Sequence, residues 1–205
     1  PPDINRSADR FTVEEGGIRF GLVAIKNIGR GFIQAVVRQR QQDGDFTSFQ
    51  DFCQRMFDCT DMNKRAVENL IRSGAFDSMG ARRSQLLAVY EKVLDGIGNV
   101  RRRNVEGQID FFGMSAANST VETVVMPDIP EFTATERMHM EKETTGLYLS
   151  GHPMVGYRAA ARSSGAVTLN EILEDVSSEE GPTRFADGMP VTVAGIVASS
   201  KTRPT

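Results

Sequence analysis

Apolar residues in the first half of the chain recur at helical rather than strand spacing. From Ile18, the positions Leu22, Val23, Ile25 and Ile28 fall near a period of about 3.6 residues. Gly29-Arg30-Gly31 interrupts the pattern, and Phe32, Ile33, Val36 and Val37 resume it with Ala35 among them. This predicts a helix, a tight turn and a second helix ending near Asp43-Gly44-Asp45. Ser48 is placed to cap a short helix with Phe49, Phe52 and Met56 on one side. Asn63 is placed to cap the next, which carries Ala66, Val67, Leu70 and Ile71. The run Ser73 to Gly80 breaks that helix. Another follows on Leu86, Leu87, Val89, Tyr90, Val93 and Leu94 and is expected to fray at Gly96 and Gly98. The second half thus echoes the first, with a helix, a glycine-bearing bend and a helix. Residues 18–98 read as two hairpins packed as one unit of four or five helices.

The flanks differ. Residues 1–17 read as extended or looped, with a short strand at Phe11-Thr12-Val13. Residues 99–130 read as a linker that opens on the solvated charge run Arg101-Arg102-Arg103 and holds Pro127 and Pro130. Residues 131–188 read as a helical connector. One helix is expected from about Thr133 to Leu149, stopped by Gly151, Pro153 and Gly156, and a shorter one from Thr168 to Val176. In residues 189–205 the run Val191 to Val197 has strand composition. A lone strand buries no face, so the chain is expected to stop at the threshold of a β domain. The missing initiator Met likewise predicts an excised piece. The expected fold class is mainly α.

Composition narrows the chemistry. The hydrophobic fraction is 40%, enough for a core, with no run of 18 apolar residues for a membrane span. The net charge of −3 is unevenly spread: residues 19–107 hold 15 Lys/Arg against 10 Asp/Glu, and residues 108–205 hold 7 against 13. A basic front half suits phosphates. The two cysteines, Cys53 and Cys59, read as quiet thiols, because neither His139 nor His152 stands at ligand spacing from them. With no Trp in the chain, a base-stacking platform built on that residue is excluded. Glu131, Glu136, Glu141 and Glu143 read as a charged helix face.

The bend Ile28-Gly29-Arg30-Gly31, followed by Ala35, has the pattern of a helix-hairpin-helix. Two glycines let the backbone turn sharply and approach a surface without Cβ atoms in the way. The first amides of the following helix lack intrahelical partners and suit a phosphate oxygen. No base edge is read by such a contact, so binding is expected to be independent of sequence. Lys26 and Arg30 add charge beside it. The second bend offers Gly80, Arg82 and Arg83, but it lacks the second glycine. That leaves a purely structural role open for it.

Three stretches carry a specific likeness. Ile18-Arg19-Phe20-Gly21-Leu22-Val23-Ala24-Ile25-Lys26-Asn27-Ile28-Gly29, Asn69-Leu70-Ile71-Arg72-Ser73-Gly74-Ala75-Phe76-Asp77 and Gly146-Leu147-Tyr148-Leu149-Ser150-Gly151-His152-Pro153 resemble the bacterial replicative DNA polymerase III alpha subunit. Val193-Ala194-Gly195-Ile196-Val197 resembles the entry strand of that family's OB fold. The resemblance covers nearly the whole chain in the family's order. It implies the end of the fingers in residues 1–17, a tandem helix-hairpin-helix domain in 18–98, a clamp-binding linker in 99–130, and the start of an OB fold in 189–205. It further implies a DNA-directed DNA polymerase of cytoplasmic replisomes, working with other replisome subunits. The carboxylates that hold its magnesium would lie in a palm domain upstream. No cofactor and no catalytic residue is therefore expected in this chain.

Within the linker, two adjacent phenylalanines in a polar stretch suggest a partner. Gln108-Ile109-Asp110-Phe111-Phe112 resembles the family's clamp-binding peptide and falls at its position. Gln108 would hydrogen-bond at a pocket rim, Phe111 and Phe112 would bury as anchors, Ile109 would add a minor contact and Asp110 would stay at the rim. Double-stranded DNA and a bacterial sliding clamp are thus the expected partners. An accessory module of a DNA repair enzyme and a helical protein-interaction domain are the competing readings.

Overall fold

The computed structural model describes residues 1–14, 16–59, 62–105, 124–178, 181–197 and 200–202, without the side chains of 103–105. The chain divides into two compact units, Pro1–Ser150 and Gly151–Thr205. The first unit begins with an antiparallel pair, β1 (Thr12–Glu14) and β2 (Gly17–Arg19), in which Val13 faces Ile18. A single 3₁₀ turn follows at Leu22–Ala24. Helices α1 (Arg30–Asp43), α2 (Phe49–Met56), α3 (Lys64–Arg72), α4 (Arg83–Val105) and α5 (Ala134–Thr145) complete the unit. The mainly α class expected from the periodicity is what the chain adopts.

The helix expected from Ile18 is not formed, because Ile18 lies in β2. A 3₁₀ turn repeats every three residues, so Leu22 and Ile25 reach the core from one short turn. A periodicity that short cannot separate the two geometries. The predicted caps are in place: the Ser48 hydroxyl accepts from Asp51 N at 3.0 Å and Asn63 Oδ1 from Ala66 N at 2.9 Å. Each such cap is worth about 1 kcal/mol.

Both hairpins share one core. Phe52 packs edge-on against Phe46 and Phe76, with ring centroids 5.1 and 5.0 Å apart. The N-terminal segment is built into the same core rather than into a separate region. Ile4 is fully buried, its amide donates to Ala75 O at 2.8 Å, and Asn5 exchanges two 2.9 Å hydrogen bonds with the Phe46 backbone. Arg40 Nη1 donates to Ile4 O at 2.9 Å, which ties α1 to the segment.

Helix α4 does not fray at Gly96. It runs through Gly98 and Arg101 to Val105, into the expected linker. Each glycine costs about 1 kcal/mol relative to alanine in a helix, but Leu94 and Ile97 are buried beside them. Gly98 also lies close to α2's end: a Cβ there would stand 3.2 Å from Phe57 Cζ. The far end of the expected linker returns to the core, where Val124 and Met126 pack. Helix α5 starts where predicted, with a Thr133–Glu136 capping box, but stops at Gly146 (φ 81°) rather than at Leu149.

The second unit holds a 3₁₀ stretch at Pro153–Tyr157, then α6 (Arg158–Ser163) and α7 (Leu169–Val176). Thr168 and Glu171 form a capping box for α7. The Asp175 carboxylate accepts from the amides of Thr183, Arg184 and Phe185 and so folds the following loop back. Val193 makes one parallel bridge with Val167, and Val191, Val193, Ile196 and Val197 are exposed. No helix among the described residues is long and apolar enough to cross a membrane.

Candidate nucleic-acid interface

The two hairpin turns end in opposite states. In the first, Asn27 takes the left-handed conformation (φ 61°), not a glycine. Gly29 is extended at φ −69°, ψ 144° and serves as the N-cap of α1, with no side chain to cap it. The first helical bond is Ile33 N to Gly29 O at 3.1 Å. The amides of Arg30 and Gly31 have no partner among the described residues, and both residues are exposed. A Cβ added at Gly29 would meet nothing within 4 Å. Neither the backbone angles nor the packing of the fold requires glycine there. Gly31 lies inside α1, where alanine would be the better helix former. The glycine at position 29 is therefore not demanded by folding.

Of the other residues expected at this turn, Ile28 packs partly against the core. Arg30 makes no hydrogen bond or ion pair among the described residues. Lys26 is partly used by the protein. Its Nζ donates to Glu143 O and its amide to Thr144 O, each at 2.8 Å, at the C-terminal end of α5. A cation suits that end of a helix. Asn69 Nδ2 in turn donates to Lys26 O at 2.7 Å, which fixes the turn to α3.

The second turn is filled. The Glu131 carboxylate accepts from Arg83 N at 2.9 Å and Ser84 N at 3.1 Å, so an acidic side chain sits where a phosphate would bind. Arg82 N is taken by Gln85 Oε1 at 3.0 Å. The Arg82 guanidinium holds Ile129 O at 2.8 Å and Asp128 at 3.4 Å. Arg83 is not at the surface. It is 2% exposed and donates to Asp77 at 2.6 Å, to Arg72 O at 3.2 Å and to Glu141 at 3.0 Å. Gly80 has φ 81° at the end of the 3₁₀ turn Asp77–Met79, a backbone need that explains the glycine without a ligand. Of the two arginines expected to face phosphate, Arg83 is buried against Asp77 and Glu141, and Arg82 remains exposed while engaged by Asp128 and Ile129 O.

The acidic residues expected as one charged helix face have separate partners. Glu141 is fully buried and accepts from Leu149 N, Ser150 N and Ser150 Oγ besides Arg83. Glu143 pairs with Arg72, and Glu136 closes its capping box. Burial pushes the Glu141 carboxyl up, but the Ser150 and Leu149 amides and Arg83 outweigh it and hold the carboxyl below the usual range. Burial likewise raises Glu131, and the amides of Phe132, Arg83 and Ser84 bring it below the usual range. Carboxyls depressed in the folded state contribute stability that is complete above the ordinary glutamate range. That stability is lost as pH falls through the depressed values. The urea midpoint is therefore expected to drop between roughly pH 5 and 3, and to drop less for Glu141→Gln. A midpoint flat across that window, measured by circular dichroism, would contradict this linkage.

Among the described residues, no group of three or more His, Cys, Asp or Glu side chains could hold a metal ion. The expected clamp-binding residues, Gln108, Ile109, Asp110, Phe111 and Phe112, lie outside the described residues.

This geometry, one open glycine-bearing helix start sharing a core with a second hairpin, is that of a helix-hairpin-helix module. The helix-hairpin-helix motif model matches residues 1–86, which includes the N-terminal segment found in the core. The chain as a whole matches bacterial DNA polymerase III alpha subunits over most of its length. It is 35% identical over 207 residues to that of Vibrio cholerae, covering 100% of this chain. It is 31% identical over 204 residues to that of Mycobacterium leprae, covering 99% of the chain. With that of Deinococcus radiodurans it shares 39% over 167 residues, covering 78%. The chain spans only 17%, 16% and 12% of these relatives' own lengths.

Proposed function

We propose that this chain is a non-catalytic, duplex-gripping part of a bacterial replicative DNA polymerase III alpha subunit. It holds the backbone of double-stranded DNA without reading sequence, and the segment Gln108–Phe112 tethers the polymerase to the sliding clamp. The whole subunit would be a DNA-directed DNA polymerase of the cytoplasmic replisome, with magnesium bound in another part. The observation that carries the DNA reading is the open start of α1. The amides of Arg30 and Gly31 have no partner among the described residues and lie in exposed residues beside Gly29, a glycine that folding does not require. Phosphate is the anion that such a site takes. Glu131 shows, in the second hairpin, the same kind of site already filled by a carboxylate.

One grip neutralises few phosphates and binds weakly. A clamp tether offsets this by raising the effective concentration of the hairpin at DNA. The match over most of the chain favours the polymerase over a repair-enzyme module, since it extends well past the hairpins. The test is anisotropy of a labelled random duplex over a salt series. Gly29→Leu/Gly31→Leu should weaken binding by roughly tenfold, with circular dichroism unchanged as the check that the fold is kept. Unchanged affinity in that variant removes the grip. In a second arm, a peptide of residues 105–115 is titrated against a bacterial sliding clamp. Equal binding by its Gln108→Ala/Phe111→Ala/Phe112→Ala form, or none by either, removes the tether.

A further inference from the structure

The segment Ala8 to Arg10 lies as a strap against the first hairpin. The amides of Leu22 and Val23 donate to Ala8 O and Asp9 O, each at 3.0 Å. Gly21 makes this approach possible: a Cβ there would stand 2.7 Å from Phe11 N and 2.8 Å from Arg10 Cα, too close for any side chain. Along α1 the strap leaves two adjoining hollows. Arg10 and Arg30 line the first, Arg38 and Gln41 line the second, and Asp9 and Gln34 line both.

Arg10, Arg30 and Arg38 are exposed, and their guanidiniums have no hydrogen bond or ion pair among the described residues. Their neighbours differ. Arg40 holds Ile4 O and Ser7 O, Arg55 holds Gln39 O and Gly44 O, and Arg72 pairs with Glu68. The fold consumes those arginines and leaves this row of three. Arg30, Gln34 and Arg38 follow one another at four-residue steps on one side of α1, and Arg30 carries one of the open amides. Asp9 is the acid in the row, and its Oδ1 is already held by Arg10 N at 2.9 Å.

We propose that the strap and this side of α1 extend the phosphate-binding surface beyond the glycine turn. Arg10, Arg30 and Arg38 contact phosphates of the same duplex, with Gly21 placing Arg10. The inference rests on the proposed duplex grip and deepens it. Arg30 and Arg38 stand about 12 Å apart along the helix axis at 1.5 Å per residue. They are too far apart to share one phosphate, so each adds its own contact. The partner is a polyanion with repeating phosphates rather than a single free phosphate.

The test compares five forms of the full chain, the wild type and four variants, on one random duplex over a salt series. Arg10→Gln/Arg38→Gln is expected to bind roughly tenfold more weakly and to lower the log–log salt slope by about two. Asp9→Asn is expected to bind severalfold tighter. Arg65→Gln/Lys92→Gln removes the same charge from exposed positions on α3 and α4 and should leave the slope unchanged. If the wild type fails to bind, the proposed function falls, and this inference with it. If Gly29→Leu/Gly31→Leu loses binding while the Arg10/Arg38 and Asp9 variants match wild type, the grip stands and the extended surface is overturned. Equal losses from the Arg10/Arg38 and Arg65/Lys92 pairs would also overturn it, because the effect would then be one of net charge alone.

Discussion

Arg83→Met is expected to lower the stability of the first unit by about 3 kcal/mol, because it leaves Glu141 buried without its cation. Arg83 is 2% exposed and Glu141 fully buried, so water cannot replace the lost partner. The amides of Leu149 and Ser150 still hold one carboxylate oxygen, which keeps the loss near the low end of what breaking a buried pair costs. The consequence reaches several elements at once. Arg83 starts α4, Asp77 lies in the turn after α3, and Glu141 lies on α5 and holds the residues that follow it. Lys64→Met is the control. Lys64 pairs with Glu91 and Asp95 at the surface, where solvent screens the pairs, and its loss should cost far less. Urea unfolding followed by circular dichroism separates the two, and equal small losses would show that the buried pair holds nothing together.

Gly74→Ala is expected to be of similar size and to act on the same cluster from the backbone side. Gly74 has φ 84°, and a Cβ there would stand 2.9 Å from both Arg83 Cζ and Asp77 Oδ2. The left-handed backbone alone costs a residue with a side chain about 1–2 kcal/mol. The guanidinium cannot swing aside without leaving Asp77 and Glu141, so the total should reach about 3 kcal/mol. Gly96→Ala makes the opposite prediction. Gly96 sits inside α4 with nothing within 4 Å of an added Cβ, so alanine should stabilise by about 1 kcal/mol. The Gly74 and Arg83 changes should also be less than additive in combination, since shortening residue 83 removes part of the clash. Full additivity would mean that the backbone strain acts apart from the ion pairs.

The cluster also explains why two similar hairpins present different surfaces. At α1 the helix start is bare and its arginine is free in water. At α4 Arg83 is turned inward while Arg82 stays exposed, and Glu131, Asp128 and Glu141 supply the anions. A helix start satisfied by a carboxylate has no further attraction for phosphate, so the first hairpin carries the proposed grip.

Much of this was legible in the sequence. The local signals were reliable: Ser48 and Asn63 cap the helices they precede, and α5 and α7 begin at Thr133 and Thr168 as expected, because a helix start needs only residues a few positions away. The mainly α class and the Gly29 turn followed from spacing in the same way. What the sequence did not disclose depends on residues far apart in the chain. Ile18 was drawn into a strand by pairing with Val13. Gly96 and Gly98 stayed helical because Ile97 is buried in the core, against which Phe57 also packs. Arg83, read as a surface cation, is buried because Glu141, 58 positions later, offers its carboxylate there. A row of glutamates on one helix looks solvated until the tertiary structure brings an arginine and two amides to one of them. Short-range chemistry fixed where the helices begin. Only the packing decided which of two similar helix starts remained open to an outside anion, since the competing carboxylate arrives from 47 positions away.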